Sequence, residues 1–461
     1  MATDAISALG AGSGMDVKSL ATSLVDAEKA PRKAAIDEKI KKSENGISGY
    51  AAVKFVMDAL KTALTNLKDQ SAYNTQNPRN SQPNAIAVTA SGQASTGSHS
   101  IVVNRLAQAQ KLASNGFPTE SEKLNNGDSF NLNLTVNGES TTIEVPEGSD
   151  TPKGIAAAIN AAKKGVTAQV INTGSATDPV KIILTGASGA NNSFTISSDN
   201  SEVNFNTSIQ ASRNGEVVID GLTVEPASNK LTGLVPGVTL EFLSTTNGTA
   251  TFEVTRDKAA IQAKVEAVVT AYNDAFSLLG VVSDPKSTVE GYGGSLVSNP
   301  IVGTVKGLMR ELIFTNSNSP SGELSNMRDL GITIDRYGKM SLDKSKLDTV
   351  LTDQFEDVVT LMTNNQENLS AFSPTEAGAA GEAVKKLSKM LAYNGILTTQ
   401  STNLTKQISN YKEELAKLET RMALLLNRYN KQFGAMENIV GQSKNVRSSL
   451  TNMMAAYNKS S

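Results

Sequence analysis

The 461-residue chain contains no cysteine, no tryptophan and one histidine. Without cysteine it has no disulfide, no thiolate metal ligand and no thiol nucleophile. With a single imidazole, the commonest proton shuttle and metal ligand is nearly missing, which argues against most hydrolytic and metal-dependent chemistry. Aromatic residues make up 5% of the chain, too few for a platform that stacks nucleic-acid bases or a planar ligand. Neither charge is in excess: 43 Lys and Arg face 45 Asp and Glu, a net charge of −2, which leaves no electrostatic footprint for nucleic acid. No run of about 18 apolar residues occurs, so no membrane span is expected. The N-terminal MATDAISALGAGSG lacks a basic region and an apolar core of about seven residues, so no cleaved secretory signal is expected. These absences leave a cytoplasmic protein, or one exported by a route that reads no cleaved signal, with no cofactor and no metal.

The length suffices for two to four domains with a sizeable core. The pattern of the chain falls into helical ends around a strand-rich middle. At the N-terminal end, Ser13 and Asp16 form an S-x-x-D capping box ahead of VKSLATSLVDAEKA. Pro31 is expected to interrupt that helix or to open the next one. Val53, Met57, Leu60, Leu64 and Leu67 then step by 4, 3, 4 and 3, the spacing that places one apolar seam along a helix. Residues 74–84, NTQNPRNSQPN, read as a boundary.

From there to about 256, β-branched runs with period-two stretches predict short strands: AIAVTA, SIVVNRL, SFNLNLTV, STTIEV, VKIILTG, EVVIDG, LTVEPA, VTLEFLS and TFEVTR. Asn137-Gly138 and Asp220-Gly221 each separate two such runs, a hairpin signal. One helix interrupts the strands, PKGIAAAINAAKKG, with Thr151 as its cap, Pro152 at its first position and a glycine at its end.

After 257 helical spacing returns in Ile261, Val265, Val268, Tyr272, Phe276 and Leu279, followed by a small hairpin at GITIDRYGKMSLD. The clearest pattern is the last one. Leu404, Ile408, Tyr411, Leu415, Leu418, Met422, Leu425 and Tyr429 alternate steps of 4 and 3, and Phe433, Met436 and Val440 continue after one stutter. An isolated helix could not leave such a seam in water, so it must bury against a partner in the same chain or another. The two helical ends supply complementary seams, so intramolecular packing is the first reading and subunit contacts the second.

Candidate chemistry is sparse. LGAGSGMDVKSL has the glycines of a phosphate-binding turn, but Met15 and Asp16 stand where a Walker loop needs lysine and a hydroxyl residue. Its G-x-G-x-G spacing also differs from the dinucleotide fingerprint, and only nine residues precede Gly10. His99, in STGSHSIVV, has no second histidine with which to share a metal and reads as structural. No G-x-S-x-G occurs. Glu413 and Glu414 lie among lysines on a helix face and read as solvated pairs.

Several segments resemble one family. GAGSGMDVKSLATSLVDAEKAP is similar to its N-terminal signature, and GSHSIVVNRLAQAQKLAS (97–114) to the start of its head. IAAAINAAKKGVTAQVINTG (155–174) resembles a small insert shared by flagellar axial proteins. IDGLTVEPASNKLTGLVPGVTLEFL (219–243), LGITIDRYGKMSLD (330–343) and RYNKQFGAMENIV (428–440) complete the set. In order and at matching spacing, they resemble the flagellar hook-associated protein 2 family, which caps flagellar filaments.

The resemblance implies a non-enzymatic protein at the distal tip of the filament, secreted through the flagellar export apparatus. It implies a ring-like homo-oligomer, with a pentamer favoured, that promotes folding and insertion of exported flagellin and prevents its leakage. Implied partners are flagellin, the hook-filament junction proteins, a chaperone on the C-terminal region and, in some relatives, host mucin. A head that binds mucin or another host glycan is the alternative function. The expected fold is α+β and multidomain: an antiparallel helical coiled-coil stalk from both termini, with β-rich head domains inserted between. The expected divisions are 1–45, a flexible N-terminal helix region; 46–75 with 257–440, a helical leg; 76–112 with 205–256, a β-rich head; 113–204, a second β-rich head with one helix; and 441–461, a flexible tail anchored by Met453, Met454 and Tyr457.

Overall fold

The structure is a computed structural model that describes residues 16–314, 316–317 and 322–459, with side chains up to 456. The chain divides into two compact units, Met1–Ala72 with Ile261–Ser461, and Tyr73–Ala260. Helices thus occupy both ends and antiparallel sheet the middle.

The first unit contains α1 (Val17–Thr65), most of α3 (Lys258–Ser283), α4 (Pro300–Phe314), α5 (Lys344–Asp353), α6 (Phe355–Thr363), α7 (Ala379–Leu391) and α8 (Ile396–Lys459). A hairpin of β16 (Ile332–Ile334) and β17 (Met340–Leu342) completes it. Pro31 does not break α1, which runs through it as one helix of 49 residues. A proline inside a helix costs about 3 kcal/mol through a lost hydrogen bond and a clash with the preceding turn. Burial of Val25 and Ile36 on either side of it, in one cluster with Leu418 and Met422, holds the helix across that point. Residues 441–459, expected as a separate tail, continue α8.

In α3 the buried stripe is Ile261, Val265, Val268, Tyr272, Ala275, Leu279 and Val282. Ala275 takes the place expected for Phe276, whose half-buried ring lies where a Cβ on Gly338 would sit, so this hairpin position excludes any side chain. Asn273 fastens the hairpin to α3: its amide nitrogen donates to the Met340 carbonyl at 2.9 Å and its oxygen accepts from the Met340 N–H at 2.8 Å. By length and composition α3 is apolar enough to cross a membrane. Its buried stripe gives that composition another use, in the core of the unit.

The second unit has two cores. One five-stranded sheet has the order β1 (Gln76–Asn80), β15 (Ala250–Arg256), β3 (Gly97–Arg105), β11 (Glu216–Ile219), β12 (Leu222–Val224). It shares a core with a three-stranded sheet of β13 (Lys230–Thr232), β14 (Val238–Phe242) and β2 (Ile86–Ala90), built on Ile101, Val217, Phe252, Ile86, Leu240 and Phe242. The other core joins β10 (Thr207–Gln210), β4 (Ala109–Ala113), β8 (Val180–Ser188) and β7 (Thr167–Asn172) to β6 (Glu139–Val145), β5 (Phe130–Val136) and β9 (Phe194–Ser198), with α2 (Pro152–Ala162) packed on them through Ile155 and Ile159. This second sheet reaches past the expected 113–204 on both sides, through β4 and β10.

Residues 74–84, expected as a boundary, lie at the start of the second unit, which begins at Tyr73, and contain β1, which pairs in register with β15. Pro78 fits there because β1 is an edge strand, where a missing N–H breaks no second ladder. Both hairpin signals form turns: Asn137 and Gly138 have φ of 51° and 81°, Asp220 and Gly221 47° and 83°. Thr151 caps α2 by accepting from the Gly154 N–H at 3.1 Å. The left-handed end of that helix falls on Lys163, φ 50°, rather than on the expected glycine.

Candidate assembly surface

The seam residues divide into groups that do not all face one another. Three contacts give the register of α1 against α8. A Cβ on Gly46 would lie 2.7 Å from Leu404 Cδ1, Lys39 Nζ stands 5.5 Å from the centre of the Tyr411 ring, and Lys29 Nζ is 4.0 Å from Glu419. As the number rises along α1 it falls along α8, so the pair is antiparallel. In that register Tyr411, Leu415, Leu418, Met422, Leu425 and Tyr429 lie against Val25, Ile36 and Ile40.

Val53, Met57, Leu60, Leu64 and Leu67 are all buried, but they are not the counterpart of that seam. The start of α8 at Ile396 falls opposite about residue 54 in this register, and α1 packs on α7 as well as on α8. The partner positions in α1 are extended toward the N-terminus by Ile36, Ser43, Gly46 and Tyr50, each buried. Ser43 and Gly46 carry no apolar signal, and so an apolar count misses them.

Burial along the α8 seam is uneven. Leu418 and Met422 are buried, whereas Leu404, Ile408, Tyr411, Leu415, Leu425 and Tyr429 are half-buried. Two paired helices cover only the inner stripe of each; a bundle would cover the flanks as well. Farther along, Phe433 stacks on Tyr429 with ring centres 5.8 Å apart. Met436, Ile439, Val446, Leu450, Met453 and Met454 then lie exposed. The Tyr457 side chain lies outside the described residues.

At the N-terminal end of α1, Asp16 is itself the cap: its carboxylate accepts from the Ser19 N–H at 2.9 Å. This corrects the expected capping box, in which Ser13 caps and Asp16 is the third residue of the helix. Ser13 and the glycines of 9–15 lie outside the described residues.

The remaining candidate groups serve pairing and turns. His99 Nδ1 is 2.7 Å from Asp220 Oδ2, and its ring stacks on Phe252 at 5.0 Å. Asp220 also accepts from the Ser100 N–H at 2.8 Å. The His99 hydrogen bond, aided by that amide, holds the Asp220 carboxyl below its ordinary range. This ties β3 to the Asp220-Gly221 turn. Glu413 and Lys417 meet at 2.7 Å on the surface, their mutual hydrogen bond lowering the one and raising the other. Among the described residues no three His, Cys, Asp or Glu side chains gather in a way that could hold a metal.

Fold and surface together define a multidomain α+β scaffold whose two ends fold on each other and present helices. The family model for the N-terminus of flagellar hook-associated protein 2 matches residues 13–110, the C-terminal one matches 212–445, just over half of the chain, and a flagellin hook IN motif matches 131–188. The chain belongs to the flagellar hook-associated protein 2 family. It is 26% identical over 469 residues to the A-type flagellar hook-associated protein 2 of Pseudomonas aeruginosa, covering 94% of each chain. It is 24% identical over 468 residues to flagellar hook-associated protein 2 of Escherichia coli K12, covering 97% of each. Among solved structures, the D1-D2-D3 domains of the flagellar cap protein FliD from Escherichia coli share its fold at a TM-score of 0.61 and 23% identity, covering 77% of this chain and 99% of that one.

Proposed function

We propose that the chain caps the distal end of the bacterial flagellar filament. There it forms a ring of identical subunits, with a pentamer favoured, promotes folding and insertion of exported flagellin, and prevents its leakage. It is a structural protein, reaches the tip without a cleaved signal peptide, and meets hook-filament junction proteins and a chaperone of its C-terminal region on the way. The observation that carries the reading is similarity to flagellar hook-associated protein 2 over nearly the full length of both chains. The exposed apolar residues of α8 after Phe433 support it, because such surface is stable in water only when an assembly covers it. A strain lacking the gene should secrete flagellin monomer and carry no filaments, and the gene supplied in trans should restore them. Normal filaments in the deletion strain would overturn the proposal.

A further inference from the structure

A groove of about 370 Å³ runs along one side of the α1/α8 pair, between Glu28 of α1 and a stripe of α8. Arg421, Leu424 and Arg428 follow one another there at steps of 3 and 4, so all three point to the same side of the helix. Leu424 is 67% exposed. Neither arginine has an ion-pair or hydrogen-bond partner among the described residues. Glu28, in the same groove, also pairs with Arg32 at 3.4 Å, so two arginines face one carboxylate that is already shared.

On the α1 side Glu28 lines the groove, and the flank it stands on turns apolar toward the N-terminus. Glu28 follows buried Val25 by three residues, as Leu24 follows Ala21 and Leu20 follows Val17, so these three lie on one flank. Leu20 and Leu24 are 42% and 44% exposed. The Lys29–Glu419 contact sets Leu24 at about the level of Leu424 and Leu20 at about that of Arg428. Leu424 thus lies in the groove with two arginines and one glutamate, and Leu24 and Leu20 continue its α1 flank toward the N-terminus.

We infer that this groove docks an amphipathic helix of a partner chain, its apolar stripe against Leu20, Leu24 and Leu424 and its carboxylates on Arg421 and Arg428. A third helix seats between two paired helices by the same interdigitation that builds bundles. Arginine pairs carboxylate through two parallel hydrogen bonds, which fixes orientation as well as charge. The charge also selects the occupant. The exposed stretch of α8 in a second copy carries Lys444 and Arg447 beside Val446 and Leu450 and would bring like charge to the arginines. The inference stands on the helix pair alone and is independent of the capping role.

The test is binding of two fluorescein-labelled synthetic helices of about four heptads to the full chain, both with leucine at a and d, one flanked by glutamate and one by lysine. The glutamate helix should bind roughly tenfold or more tightly over the lysine helix, the effect of one good charge pair, and salt should narrow the gap. Arg421→Glu with Arg428→Glu should reverse the preference, and Leu424→Ser should weaken both helices. All three positions are exposed, so an unchanged circular dichroism spectrum verifies folding. A dye on Lys431→Cys, a unique thiol in this chain, should be quenched by an acceptor on the bound helix. Binding of neither helix, equal binding of both, or the original preference in the double variant would overturn the inference while leaving the filament experiment to judge the cap.

Discussion

Met422→Ala tests whether α1 and α8 hold each other through one small cluster. Met422 is 3% exposed and shares that cluster with Val25, Ile36 and Leu418. Truncating a buried methionine to alanine costs about 2–5 kcal/mol, depending on how far the site can collapse. The flanking Leu415 and Leu425 are half-buried and can move toward the gap, which places the cost at the lower end, about 2–3 kcal/mol. At 1.4 kcal/mol per tenfold, that is roughly 30- to 150-fold faster amide exchange through opening of the pair. Hydrogen exchange read by mass spectrometry should show the increase in residues 17–40 and 411–433 and leave Tyr73–Ala260 unchanged. Leu424→Ala, at an exposed position of the same helix, should stay within about 0.5 kcal/mol of the parent. Equal effects of the two substitutions, or a change spread evenly into the sheets, would refute the reasoning.

Two further outcomes follow from burial and charge. Leu418→Asp should lower the melting temperature of the helical signal more than Leu415→Asp, because the buried site strands the carboxylate while the half-buried one lets it turn to water; equal shifts in circular dichroism melts would contradict the seam as described. Asp220→Asn keeps the left-handed turn but removes the charge that His99 and Ser100 hold. Since folding lowers the Asp220 pKa, its contribution is present above the ordinary carboxylate value of about 4 and is lost as pH falls through the lowered one. The variant should therefore melt below the parent at pH 7, with the gap narrowing toward pH 3; a gap of constant size would show that the pair does not act this way.

The alternation of helical ends and strand-rich middle was legible because each apolar period reports burial on one face. The two hairpin turns were legible because Asn-Gly and Asp-Gly tolerate the left-handed backbone the turns require. Breaker residues were the less reliable signal. Pro31 does not end α1, because packing carries the helix through it, whereas the Asn/Pro/Gln-rich stretch at 74–84 does follow the division between the units at Tyr73 and also supplies the edge strand paired with β15. The register of the helix pair was hidden for another reason: Ser43 and Gly46 are buried seam positions without an apolar side chain, and at Gly46 Leu404 comes too close for a Cβ. The groove was invisible as well, since arginines seven residues apart read as a solvated face until the opposite flank supplies leucines.

The same 4–3 spacing meets three fates in this chain. Val53–Leu67 is buried in the helical unit, Tyr411–Tyr429 is half-covered by one helix, and after Phe433 Val440 is half-buried while Met436, Ile439, Val446, Leu450, Met453 and Met454 are exposed. The Lys29–Glu419 register brings Asp16, the first described residue, opposite about residue 432. From there α8 runs to Lys459, about 40 Å farther at 1.5 Å per residue, beyond the described reach of α1. Past that level burial is uneven: Glu437 is buried and Val440 half-buried, while Ile439, Val446, Leu450 and Met453 are exposed, so the spacing alone cannot reveal which partner covers the seam. An exposed heptad with Ile439, Val446, Leu450 and Met453 on one face is a seam whose second half must come from elsewhere. On the proposed capping role, this exposed face is the part of α8 that a neighbouring subunit or flagellin would cover, and its apolar pattern is the reason.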